Sequence, residues 1–134
     1  MISTNFPKVY TDGSCLSNPG GNGGWAVAVV EDKNFVYLVG NELSTTNNRM
    51  ELRAVIEALK FVNFKEFILY TDSQLTMNCA TRKWKRKANL DLWEEYDRIS
   101  KGFVIHWEWV KAHNGDKYNS IVDKLARNEA KVLI

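Results

Sequence analysis

The order in which hydrophobic periodicities follow one another is the strongest constraint on this chain. Three β-rich runs fall within its first forty residues: Lys8 to Thr11, Trp25 to Val30 and Phe35 to Val39. Asp12-Gly13-Ser14 after the first run reads as a turn. Asn18 to Gly24 is a loop by composition, and Glu31 to Asn34 is a polar connection that makes the second and third runs a hairpin. The period then changes. Leu52, Val55, Leu59 and Val62 predict a helix over 47–62. Phe67 to Thr71 is a continuous apolar run, as expected of a strand buried on both faces. Short helices are expected over 73–82 and 90–99, a strand over Val104 to Val110, and a last helix over 120–132. Hairpin-linked strands followed by helix crossovers imply an α/β fold: a five-stranded mixed sheet with helices on both faces.

A chain of 134 residues, 45% hydrophobic and 25% charged, suits one domain with a real core, taken here as 1–134. The longest unbroken apolar run, Trp25 to Val30, is far too short to span a bilayer. The start shows no basic segment leading into an apolar one, so no secretory leader is expected. Two cysteines, Cys15 and Cys79, form no CxxC pair or disulfide framework, and a cytoplasmic protein with free thiols is expected. The formal charge of +2 hides an asymmetry. Arg82-Lys83-Trp84-Lys85-Arg86-Lys87 carries five positive charges and no negative one, which leaves the rest of the chain at −3. An acidic body with one basic patch points to a polyanionic partner.

Two segments echo each other. Tyr10-Thr11-Asp12 and Tyr70-Thr71-Asp72 each end an apolar strand on an aspartate, where open α/β sheets bind ligands. Either could be ordinary: Asp12 a turn residue, Asp72 a helix N-cap. Glu51 shares the core-facing stripe of its helix with Val55, Leu59 and Val62, a costly place for an unpaired carboxylate. The alternative is a capping box with Asn48. Asp123 falls on the side of Ala126 and Ala130 in the last helix, or is the partner of a cap at Ser120. Four carboxylates with no histidine or cysteine cluster suit Mg²⁺ or Mn²⁺ rather than zinc. Two such ions could activate water and steady the leaving oxygen of a phosphodiester.

His113 lies in a loop before the last helix and could move protons near neutral pH, whereas His106 reads as structural. Trp84, Lys85, Arg86 and Lys87 combine phosphate-binding charge with an indole that can pack on a sugar or base. Gly21 to Ala26 fits a dinucleotide fingerprint, but it lies between a loop and a strand, which is the wrong context.

The pieces at 10–20 (Tyr-Thr-Asp-Gly-Ser-Cys-Leu-Ser-Asn-Pro-Gly), 45–52 (Thr-Thr-Asn-Asn-Arg-Met-Glu-Leu), 71–74 (Thr-Asp-Ser-Gln), 89–93 (Asn-Leu-Asp-Leu-Trp), 109–115 (Trp-Val-Lys-Ala-His-Asn-Gly) and 119–127 (Asn-Ser-Ile-Val-Asp-Lys-Leu-Ala-Arg) together resemble ribonuclease H, type 1, in that family's order. The resemblance implies a ribonuclease H-like fold. It also implies a monomeric endonuclease that cuts the RNA strand of RNA–DNA hybrids by two-metal hydrolysis, leaving 3′-hydroxyl and 5′-phosphate ends. It makes Asp12, Glu51, Asp72 and Asp123 the ligands of two Mg²⁺ or Mn²⁺ ions with substrate bound, and His113 the mobile histidine. Asn18, Asn47, Asn48 and Gln74 match residues that touch the hybrid minor groove, and Thr46 and Asn89 match a pocket for a DNA phosphate. Two departures stand out: the basic handle many bacterial members carry is cut to a short arm, and Ala112 replaces a frequent glycine. The rival readings are a nuclease for another nucleic acid and a non-catalytic binding module whose acids are merely caps.

Overall fold

A computed structural model of the chain describes residues 6–111 and 116–132. Its elements run β1 (Lys8–Cys15), β2 (Gly23–Glu31), β3 (Asn34–Glu42), α1 (Asn47–Phe61), β4 (Glu66–Thr71), α2 (Gln74–Ala80), α3 (Leu90–Ile99), β5 (Val104–Trp109) and α4 (Lys117–Ala130). Among the described residues the strands make one sheet in the order β3-β2-β1-β4-β5. β1, β2 and β3 are antiparallel neighbours, while β4 pairs parallel with β1 on one side and β5 on the other. The expected mixed sheet is present, with helices on both faces.

Alternation along β2 shows how the faces divide. Val27 and Val29 point into a core built with Leu52, Val55, Ile56 and Leu59 of α1 and Leu92, Trp93 and Tyr96 of α3. Ala26 and Ala28 point the other way, with Tyr10, onto Val122 and Ala126 of α4. Small residues on that face allow a close approach. A Cβ on Gly24 would collide with the backbone of α4 at Ala126 and Ala130.

Three expectations are corrected. Asp12-Gly13-Ser14 is not a turn: β1 runs on to Cys15, with Asp12 opposite Ala26 and Cys15 opposite Gly23. Gly13 explains the difference, because a Cβ there would strike the backbone of α1 at Met50 and Glu51. The glycine serves helix–strand contact, not a reversal. The last helix begins at Lys117, earlier than the expected 120, because Asp116 caps it by accepting the Asn119 N–H. β4 is not buried on both faces. Phe67, Leu69 and Thr71 are buried, but Ile68 and Tyr70 on the other face are only half-covered, since α4 packs over β1, β2 and β3.

Candidate active site

The β1–β4 ladder ends at Tyr10 paired with Tyr70. Beyond that rung β1 continues toward β2 while β4 stops at Thr71. Asp12 and Asp72 stand on either side of the divergence. The glycine contact at residue 13 seats the first turns of α1 against β1, which brings Glu51 to the same place. Carboxylate oxygens of Asp12, Glu51 and Asp72 lie within 4.8 Å of one another. None of the three caps a helix. The caps are Thr46, whose hydroxyl accepts the Arg49 N–H, and Ser73, whose hydroxyl accepts the Thr76 N–H. The cap at Asp116 likewise frees Asp123. The reading of these acids as ordinary caps therefore fails.

Among the described residues, no basic group acts on Asp12 or Glu51. Asp12 is 3% exposed. Burial first, then the charges of Asp72 and Asp123, push its carboxyl up to about 7, against the opposing hydrogen bonds from Glu51 and from the Gly13 N–H at 2.9 Å. Glu51 is held well above the usual carboxylate range by its burial and by Asp12 and Asp72 beside it. Its Oε1 is buried without a hydrogen-bond partner among the described residues. An orphaned carboxylate oxygen is costly unless something binds it. Three converging carboxylates with only oxygen donors fit a hard divalent cation, which would satisfy Oε1 and offset the repulsion.

Asp123 stands outside the 4.8 Å set. It lies on α4, 3.0 Å from the guanidinium of Arg127, and acts on Asp12 through its charge. His113 lies outside the described residues. Around the N-terminus of α1, Asn18 Oδ1 accepts the Asn47 N–H at 3.2 Å, which ties the loop after β1 to the helix start. Gln74, exposed, opens α2. Asn48, Asn89, Lys85 and Lys87 line a cavity of about 150 Å³ floored by Leu52 and Trp93.

Within the basic arm, Trp84, Lys83, Lys85 and Lys87 are exposed. Arg86 departs from the expected phosphate contact. Its side chain is 7% exposed, lies over the Trp93 ring at 4.3 Å, donates to the Cys79 carbonyl and pairs with Asp97 at 2.7 Å. Arg82 shares Asp97. The three lysines and Arg82 therefore face outward, while Arg86 does not.

Sequence reasoning passed over Arg49. It donates bidentately to Asp91 at 2.9 and 3.0 Å and reaches Asn89 Oδ1 at 3.3 Å. Asn89 sits at φ 56°, a left-handed conformation that asparagine adopts readily. Both partners lie in the matched segments 45–52 and 89–93, so their opposite charges were the available signal. Trp109 was also passed over: its indole N–H donates to the Asp72 carbonyl at 3.1 Å.

The chain matches the RNase H family model over residues 5–131. It is 48% identical to "Ribonuclease HI" of Xylella fastidiosa (strain Temecula1), across 92% of this chain and 91% of that protein. It is 44% identical to "Ribonuclease H" of Ehrlichia chaffeensis, across 93% and 94%. In fold it is similar to LC11-RNase H1, solved in complex with an RNA/DNA hybrid, with a TM-score of 0.79 at 21% identity over 93% of this chain and 96% of that one.

Proposed function

The chain belongs to the ribonuclease H family, and from that premise we propose how its carboxylate cluster performs the family's reaction. The chain is a metal-dependent endonuclease that hydrolyses the RNA strand of an RNA–DNA hybrid. Asp12, Glu51 and Asp72 hold one Mg²⁺ or Mn²⁺ ion, and Asp123 completes the ligand set for a second when substrate is bound. When bound, the ions supply polarisation of the phosphodiester and activation of the attacking water. The products carry 3′-hydroxyl and 5′-phosphate ends.

The protein's own groups position the substrate. Asn18, Asn47, Asn48 and Gln74 face the minor groove, where hydroxyl-bearing RNA differs from DNA. Thr46 and Asn89, braced through Arg49, take a phosphate of the DNA strand. Lys85, Lys87 and Trp84 follow the backbone, with Lys83 beside them, while Arg86 holds the arm to α3. His113 moves the proton or releases product. All four carboxylates come from one chain, in keeping with a monomer. The free thiols of Cys15 and Cys79 fit the cytoplasm. No helix among the described residues is long and apolar enough to cross a membrane.

One observation carries this reading: three carboxylates from β1, α1 and the end of β4 within 4.8 Å, one of them with an orphaned buried oxygen. The test is a gel assay on a hybrid labelled in either strand. Cleavage of the RNA strand alone, only with Mg²⁺ or Mn²⁺, and lost in Asp12→Asn with binding retained, is expected. Cutting in chelator, or an active Asp72→Asn variant, refutes it.

A further inference from the structure

Asp72 lies one residue past the last paired residue of β4, at the point where β1 no longer supports that strand. Thr71 is still held from the β5 side, where it pairs with Trp109 and its carbonyl accepts the Val110 N–H at 2.9 Å. Past it, the Ser73 N–H turns back onto Thr71 Oγ1 at 3.1 Å, and Ser73 caps α2. The carbonyl end of that same Asp72–Ser73 peptide accepts one side-chain hydrogen bond among the described residues, from Trp109 Nε1 at 3.1 Å. Core burial does not account for this tryptophan, because it ends the edge strand β5 and is 41% exposed.

We infer that Trp109 is a positioning residue of the metal site: its indole N–H fixes the peptide from which the Asp72 carboxylate meets Asp12 and Glu51. The inference rests on the metal-site reading above. A carboxylate moves with the peptide that carries it, and cation affinity depends on all donors arriving together. The bond is neutral and half-exposed, so its removal weakens the site without dismantling it. The expected loss is about threefold to tenfold, the worth of one such hydrogen bond.

Two variants test this. Trp109→Phe keeps a ring on the edge strand and deletes the donor. Replacing Trp109 site-specifically by benzothienylalanine, in which sulfur takes the place of the indole N–H, keeps the full shape and covers the case where Phe impairs folding. Mn²⁺ is titrated calorimetrically into each substrate-free protein, and cleavage is measured at saturating hybrid. Both variants are expected to bind Mn²⁺ about threefold to tenfold more weakly and to lose kcat by a similar factor. KM for the hybrid and the thermal midpoint should stay near wild type. Unchanged Mn²⁺ affinity in the benzothienyl variant overturns the inference, as does a weakening only in proportion to lost stability. A wild type that takes up no Mn²⁺ although Asp12→Asn abolishes cleavage would instead overturn the metal-site reading beneath it.

Discussion

Removing one charge from the cluster should stabilise the metal-free protein. Asp12→Asn keeps the side chain's shape and its oxygen acceptor for the Gly13 N–H, and it removes a carboxylate that burial has lifted from 3.8 to about 7. The folded-state value lies above the unfolded one, so the ionised group costs stability in full above pH 7. The cost shrinks as pH falls and vanishes below the unfolded value. At about 1.36 kcal/mol per pH unit, the cost is roughly 4 kcal/mol at pH 8 and roughly 2 kcal/mol at pH 5. For a chain of this size each kcal/mol moves the melting temperature by about 3–5 °C. Urea and thermal unfolding in chelator, at both pH values, supply the assay. Asp12→Asn should exceed wild type by about 12–20 °C at pH 8, with the gap narrowing by about half at pH 5. Added Mg²⁺ should then raise wild type and leave the variant almost unmoved. A variant less stable than wild type at pH 8, or an advantage independent of pH, would refute the electrostatic account of the site.

Two further outcomes are expected. Changing Lys83, Lys85 and Lys87 together to glutamine should raise KM and flatten the salt dependence by up to about 0.9 for each phosphate no longer neutralised, with kcat kept. Arg86→Gln should instead lower stability by about 2 kcal/mol, because its ion pair and its packing on the Trp93 ring both go, and it should barely alter the salt slope. Steady-state kinetics across ionic strength, with a melting curve, separate the two. Gly13→Ala should cost about 2–4 kcal/mol in urea unfolding and most of the activity, because its methyl group displaces α1 and Glu51 with it.

The helices and strands were legible because their periodicities are strong; where the readings went wrong, a tertiary contact overrode a local cue. Asp12-Gly13 has the composition of a turn, and only the backbone of α1 lying against the glycine shows why it is strand. The caps behaved similarly. Ser120 and Asn48 are good capping residues by type, yet Asp116 and Thr46 take those roles, and this frees the acids beside them. Glu51's inward aim could be read from its helix stripe, but its orphaned oxygen could not, since that depends on which neighbours reach it. Arg86 looked like its basic neighbours in sequence. What distinguishes it is Trp93 and Asp97, brought beneath it by α3. Trp109 offered no local sign, since its partner is a backbone carbonyl 37 positions away.

The parallel rung joining Tyr10 to Tyr70 also has a kinetic meaning. Parallel neighbours cannot meet through a tight turn, so a long stretch of chain, including β2, β3 and α1, must be threaded between them first. Asp12 and Asp72 therefore meet through one of the sheet's long-range pairings. The three clustered carboxylates all lie between residues 12 and 72, ahead of α2, α3, β5 and α4, so cation uptake would report closure of the β1–β4 pairing rather than completion of the chain.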